Sequence, residues 1–212
     1  MSSRGSLTVV SGFSGSGKGT IMRRLMEKYP SYCLSVSCTT RQPRPGEVDG
    51  ESYFFISQEE FDRRIRADAF LEHAGYVNHS YGTPRAWVEE QMAAGKDVLL
   101  EIEVQGAYQV KQQCPEAILL FVLPPSIVEL ENRLTGRGSE EPEVIRARLW
   151  QASRVVHEIE HYDLMIVNDD LEEAVEAVHS GIQTMKNTPG RQTKFIGSLI
   201  RELDALNRRY KR

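Results

Sequence analysis

Nine residues, Gly12-Phe13-Ser14-Gly15-Ser16-Gly17-Lys18-Gly19-Thr20, follow directly on the apolar run Leu7-Thr8-Val9-Val10 and lead into Ile21-Met22-Arg23-Arg24-Leu25-Met26. A β-branched run that breaks into glycines and resumes with helix-forming residues reads as strand, tight loop, helix. A phosphate-cradling loop requires that order. Its glycines let successive N–H groups point inward, the helix N-terminus adds partial positive charge, and the lysine reaches the outer phosphates. The strict pattern asks for Ser or Thr directly after the lysine, and Gly19 stands there instead. Thr20 is then the candidate hydroxyl for magnesium, which is otherwise held by phosphate and water. The alternative, a glycine-rich turn that binds nothing, does not account for the lysine and both flanks together.

A chain of 212 residues suffices for one substantial core with a small inserted lobe. Cys33, Cys38 and Cys114 have no metal-like spacing and point to a reducing compartment, the cytoplasm. The first residues carry no apolar stretch, and no run approaches the roughly 18 apolar residues of a membrane span. A net charge of −4 argues against a nucleic-acid or anionic-membrane surface. Arginines nevertheless cluster at 41 and 44, at 133, 137 and 148, and at the C-terminal end, which implies local anion sites.

After the first helix, closed by Tyr29-Pro30, comes a short strand at Cys33–Ser37. Residues 38–57 then run from a Pro/Gly loop bearing Arg41 and Arg44 into an aromatic strand. Ser57 and Glu60 form a capping box for a helix to about Arg66. Two short strands, 69–74 and 77–83, follow round a turn, and Thr83-Pro84 reads as N-cap and first residue of a helix ending at Gly95. Apolar strands return at 98–103 and 117–123, as expected where both faces are covered. Ser126 with Glu129 caps the next helix, and glycines break it near 136. A long amphipathic helix with Ile145, Leu149, Ala152, Val156 and Ile159 on its apolar face follows. The last strand is 163–168, and Asp170 with Glu173 caps the last core helix.

This pattern is α/β: a doubly wound parallel sheet carrying the phosphate loop, with an inserted α+β lobe and a short lid. The core comprises 5–36 and 96–186, with the lid at about 136–147 inside it, and the lobe is 37–95. Residues 187–212 form a basic tail, read as an amphipathic helix through Phe195, Leu199, Leu203 and Leu206 that docks on its own domain with a frayed basic end, the alternative being a partner or oligomer contact. Ligands of such sheets bind at the carboxyl ends of strands, where the loops ending in Lys18, Glu103 and Asn168 lie.

Arg41 and Arg44, with Tyr53 and Tyr81 as hydroxyl donors, make a cage for one doubly charged phosphate, since guanidinium binds such oxygens bidentately. Arg133 and Arg137 on a glycine-hinged segment, with Arg148 behind, read as a lid that brings positive charge to a transferred phosphoryl group. No protein nucleophile is needed for that chemistry.

The segment Ser37-Cys38-Thr39-Thr40-Arg41-Gln42-Pro43-Arg44-Pro45-Gly46-Glu47, with Gly50 and Tyr53, resembles the guanylate kinase family. So do Phe70-Leu71-Glu72, Tyr81-Gly82-Thr83, Val104-Gln105-Gly106, Arg137-Gly138-Ser139-Glu140 and Ile166-Val167-Asn168-Asp169-Asp170. The resemblance spans about residues 5 to 186. It implies magnesium-dependent transfer of the ATP γ-phosphoryl group to GMP or dGMP, with small-molecule substrates and no nucleic-acid or membrane partner, and leaves monomer or homo-oligomer open. By the same carry-over, Arg41, Arg44, Tyr53 and Tyr81 hold the GMP phosphate, and Ser37, Glu72, Thr83 and Glu103 meet guanine. The loop from Gly12 to Thr20 holds ATP with Arg137, and Asn168 lies near adenine. Lys18, Arg41, Arg133, Arg137 and Arg148 carry catalysis. A carboxylate at 72 suits guanine, whose N1–H and N2–H donors it accepts as a pair. Glu103 stands where the family has aspartate, so it is expected to reach guanine or magnesium through a shifted rotamer or a bridging water. Two other readings are an interaction domain of the same fold that binds phosphopeptides, and a kinase for another nucleotide or small molecule.

Overall fold

A computed structural model describes residues 4–76, 78–136 and 141–210. The chain runs β1 (Leu7–Gly12), α1 (Lys18–Lys28), β2 (Tyr32–Leu34), β3 (Cys38–Thr39), β4 (Phe54–Phe55), α2 (Gln58–Arg66), β5 (Phe70–Tyr76), β6 (His79–Pro84) and α3 (Arg85–Ala93). It continues through β7 (Asp97–Glu101), α4 (Val104–Gln113), β8 (Ile118–Leu123), α5 (Ile127–Thr135), α6 (Pro142–Val155), β9 (Leu164–Val167), α7 (Leu171–Lys186) and α8 (Thr193–Tyr210).

Strands β2-β7-β1-β8-β9 form a parallel sheet in that spatial order, with Leu7 beside Val98 and Thr8 beside Ile118. Strand periodicity sends Val10, Leu99 and Leu120 to one face, where Ile21 and Leu25 of α1 and Val175, Val178 and Ile182 of α7 cover them. Val9, Leu100 and Leu119 point the other way, under Val88 and Met92 of α3 and Ala107 and Val110 of α4. Both faces of the three central strands are therefore sealed, while Met165 and Val167 of the edge strand β9 stay exposed. Each side chain so sealed contributes about 1.5–3 kcal/mol on burial, and the sheet's carboxyl edge, with the loop after β1 at its centre, is left as the open margin.

The inserted segment builds a second sheet, β4-β3-β6-β5, with its own cluster of Cys38, Phe61 and Phe70. Although α3 closes that segment in sequence, its Val88 and Met92 pack under the large sheet. Ser57, Ser126 and Asp170 accept hydrogen bonds from the backbone N–H of Glu60, Glu129 and Glu173 at 3.1, 3.1 and 3.0 Å, as their spacing predicts.

Three local expectations are corrected. Thr83 does not cap α3: β6 continues to Pro84, which is itself the cap, and the Thr83 hydroxyl is spent elsewhere. The long amphipathic helix stops at Val155 and tightens into a 3-10 turn, Val156–His161. Val155, the last α-helical residue, packs three residues after Ala152, while Val156, the first residue of the tighter turn, is exposed. Finally, α8 is a helix but does not dock, and Phe195, Leu199, Leu203 and Leu206 stay exposed. The preceding turn is tied to the body, Arg191 donating to Asp163 and to the Glu116 carbonyl at 2.6 and 3.0 Å, and the helix follows directly after it. Arg137 and the rest of the segment 137–140 lie outside the described residues, as do Val77 and the final two basic residues.

Candidate active site

The loop after β1 is fixed from below. Phe13 is buried edge-on against Phe121, ring centroids 5.5 Å apart, which anchors the loop's first turn in the α5–α6 cluster. Gly17 caps α1 at φ +90°, and a Cβ there would lie 2.3 Å from Asn168 Nδ2. Only glycine fits, because the Asn168 amide passes directly beneath and donates to the Ser16 carbonyl at 2.8 Å. The Asn168 carbonyl in turn accepts from Arg133 Nη2 at 3.0 Å, and Arg133 Nε meets Glu129 at 2.8 Å. Arg148 Nη1 donates to Ser14 Oγ at 3.1 Å. Two of the three arginines expected near the transferred group thus touch the loop or its support, and Arg137 falls outside the described residues.

Lys18, the first residue of α1, bends back so that Nζ donates to the carbonyls of Gly12 and Phe13, both at 3.0 Å. Burial lowers its pKa, and the carboxylates of Glu101 and Glu103 oppose that shift. Glu101 is a site residue that the sequence motifs pass over in favour of Glu103. The signal is present, since residues two apart at a strand end share a face. Its carboxyl pKa is raised by burial despite Lys18. A Cβ at Gly19 would meet nothing nearer than Glu101 Oε2, at 3.9 Å, and Thr20 is exposed. No cluster of three or more metal-binding side chains occurs among the described residues. Two carboxylates beside a lysine and an open glycine fit magnesium, which keeps several waters and takes one or two carboxylates plus phosphate oxygens.

Across the margin, Arg41 is held by Glu47 through two parallel bonds of 2.9 and 2.8 Å, and the same carboxylate accepts the Arg44 backbone N–H at 2.7 Å. That fork holds the Glu47 pKa down to about 2 and raises that of Arg41, with Tyr81 adding to the latter. The guanidinium also lies 5.5 Å from the Tyr53 ring centre, and Tyr53 packs edge-on against Tyr81. Arg44 is exposed at the rim.

A β-bulge sits between these walls. Phe70 pairs with Pro84, yet Glu72 pairs with Thr83, so Leu71 is the extra residue. Two consecutive side chains are therefore buried, Leu71 in the core and Glu72 against the Thr83 hydroxyl. Glu72 is only 6 % exposed, and its Oε1 accepts the Thr83 hydroxyl at 2.6 Å. Its Oε2 would lie 3.1 Å from a Cβ at Gly106, so glycine at that place in α4 makes room for the carboxylate. Burial raises the Glu72 pKa, and the Thr83 bonds pull against that shift.

One cleft of about 470 Å³ joins the walls, lined by Ser14 and Lys18 on one side, Ser35, Ser37, Ser52 and Tyr53 on the other, and Glu101 and Glu103 at its floor. A protein-family model described as guanylate kinase matches residues 4–185. The chain belongs to the guanylate kinase family. A guanylate kinase of Thermus thermophilus is 46 % identical over 97 % of this chain and 96 % of its own length. That of Clostridioides difficile strain 630 is 46 % identical over 94 % and 97 %. A crystal structure of guanylate kinase from Anaplasma phagocytophilum superposes with a TM-score of 0.68 at 32 % identity, covering 89 % of this chain and 90 % of that one. The family's P-loop kinase fold is the architecture described above. No helix among the described residues is long and apolar enough to cross a membrane.

Proposed function

We infer that this cleft carries the family's reaction. The chain is a nucleoside monophosphate kinase that transfers the γ-phosphoryl group of ATP to GMP, giving ADP and GDP. The observation that carries the assignment to this site is the single cleft bounded by the loop lysine on one wall and by Tyr53, against which Arg41 packs, on the other.

Lys18 exchanges two backbone carbonyls for the outer phosphates of ATP, with the loop N–H groups of residues 13–20 behind them. Arg41 is already planar and fixed, so it meets the GMP phosphate with little further ordering, joined by Arg44, Tyr53 and Tyr81. Glu72 takes the guanine N1–H and N2–H pair while Thr83 keeps its other lone pairs occupied, and Ser37 and Glu103 complete the base contacts. A GMP phosphate oxygen bonds to the γ-phosphorus as the bond to the ADP oxygen breaks. Charge spreads over the transferred group's oxygens in that transition state, and Arg133, Arg137 and Arg148 answer it. Asn168 holds the loop's shape and stands at the adenine end. Glu101 and the Thr20 hydroxyl, with Glu103 as the alternative to its guanine contact, are the groups that would hold magnesium through its waters; when bound, the ion would neutralise phosphate charge. We further assign dGMP as a second acceptor, the cytoplasm as the location, residues 37–95 as the GMP lobe and 136–147 as the lid.

The test is ADP formation from MgATP with GMP, dGMP, AMP and UMP offered in turn. Turnover with GMP and dGMP, and about 10- to 100-fold less with AMP, is expected from a bidentate base contact. Equal rates with AMP would remove Glu72 from its role, and no turnover with any acceptor would favour a binding module.

A further inference from the structure

We propose that α8 is a dimerisation helix that pairs with α8 of a second copy of this chain. Ile196, Leu199, Leu203, Leu206 and Tyr210 recur at alternating steps of three and four, flanked by Phe195 and Ile200. That spacing is a coiled-coil seam, which a second copy of the same seam fits by symmetry. All seven side chains are exposed, Leu203 at 58 % and Phe195 at 59 %. Together they form one continuous exposed apolar stripe along the helix, the kind of patch that marks an interaction surface rather than scattered surface residues. Among the described residues the helix's main neighbour is the turn Pro189–Arg191 that precedes it, and the seam side chains stay exposed.

Charge selects the occupant. Residues 193–212 hold six Lys or Arg and two Asp or Glu, net +4, so a chain of −4 leaves −8 on residues 1–192. An anionic bilayer would attract the helix but repel the body, and Glu202 and Asp204 sit amid the polar face. A second copy satisfies both. Antiparallel pairing lays each basic end, Arg208 and Arg209 included, beside its partner's acidic body, and opposes the two helix dipoles. The seam is only about two and a half heptads, so micromolar association is expected. The helix also lies beyond the family match, which ends at residue 185, so pairing and catalysis are separable.

Sedimentation equilibrium of the full chain over about 1–100 µM, a range set by micromolar association, should show the mass doubling, and added salt should weaken the dimer. Leu199→Asp with Leu203→Asp should raise the dissociation constant at least about 100-fold while kcat/KM for GMP stays unchanged. The milder pair Leu199→Gln with Leu203→Gln, which preserves helix propensity, should act in the same direction, and Ser198→Asp on the outer face should leave the dimer intact. A wild-type chain that stays monomeric throughout overturns the proposal, as does a dimer that survives both leucine pairs. A monomer that sediments with phosphatidylcholine/phosphatidylserine vesicles also overturns it, in favour of a membrane surface.

Discussion

The two proposed anion sites of this molecule are built in opposite ways. At the loop, positive potential comes from backbone and one lysine, set between β1 and α1 and braced by Phe13, Asn168 and the main core. In the inserted lobe it comes from a side chain, Arg41, on a small sheet, held by a carboxylate. Lys18 gives up neutral carbonyls when phosphate arrives, so the gain in charge pairing is large. Arg41 trades one anion for another, so the net gain is smaller and depends on how well the new partner fits. The loop is suited to grip any nucleoside triphosphate, and the lobe to reject anions of the wrong shape.

The contrast breaks most visibly at Lys18. Lys18→Met should cut kcat about 100- to 1000-fold, as loss of one preorganised transition-state donor does, with a much smaller change in KM for GMP; steady-state kinetics with GMP varied will show whether the loss falls on kcat. Arg41→Lys should fall on the other parameter. It keeps the charge but not the fork, so KM for GMP should rise about 10- to 100-fold. If instead kcat falls while KM holds, the two walls share one task.

Glu72 sharpens the comparison through pH. Burial raises its pKa, so the ionised carboxylate costs stability above that folded pKa, and the cost is relieved as pH falls through it. Glu72→Gln should raise the thermal midpoint at neutral pH by a few degrees, consistent with about 1 kcal/mol, while lowering the GMP-over-AMP preference about 10- to 100-fold. In the wild-type chain, KM for GMP should climb as pH drops towards that raised pKa, and a flat profile would show that the carboxylate is not the base reader. Glu47→Gln loosens the fork and should raise KM for GMP only a few-fold, about 1 kcal/mol of lost ordering, with kcat unaltered. Unchanged GMP kinetics would mean that Arg41 needs no holder.

Sequence exposed what local rules govern. The glycine loop between a β-branched run and a helix, the strands sealed on both faces, and the three acid-assisted caps all follow from periodicity and capping chemistry. Thr83 departs from its expected role for a physical reason: Thr-Pro is a helix-start signal, but the hydroxyl found a buried carboxylate eleven residues back, which outcompetes a cap. Glu101 has no motif to mark it, because a strand-end glutamate looks solvated until Lys18 is seen opposite it. The bulge that turns both Leu71 and Glu72 inward has no signature in sequence at all, since pairing register is a tertiary property. In the tail the helical period is legible and the absence of docking is not, because an apolar stripe has the same spacing whether it packs on its own domain or stays exposed.

The position of that bulge also governs anchorage. Leu71 is embedded in the core while its neighbour meets the Thr83 hydroxyl, and β5 is the strand of the small sheet that lies against α4. The outermost strand, β4, adjoins Tyr53 and lies at the opposite edge. The strand that carries Glu72 is thus tied to the main core through Leu71 and α4, while β4 sits at the sheet edge farthest from that tie. On the proposed function, the base-reading carboxylate is therefore anchored to the core and the phosphate-gripping side chains are carried on the part of the lobe away from the anchor.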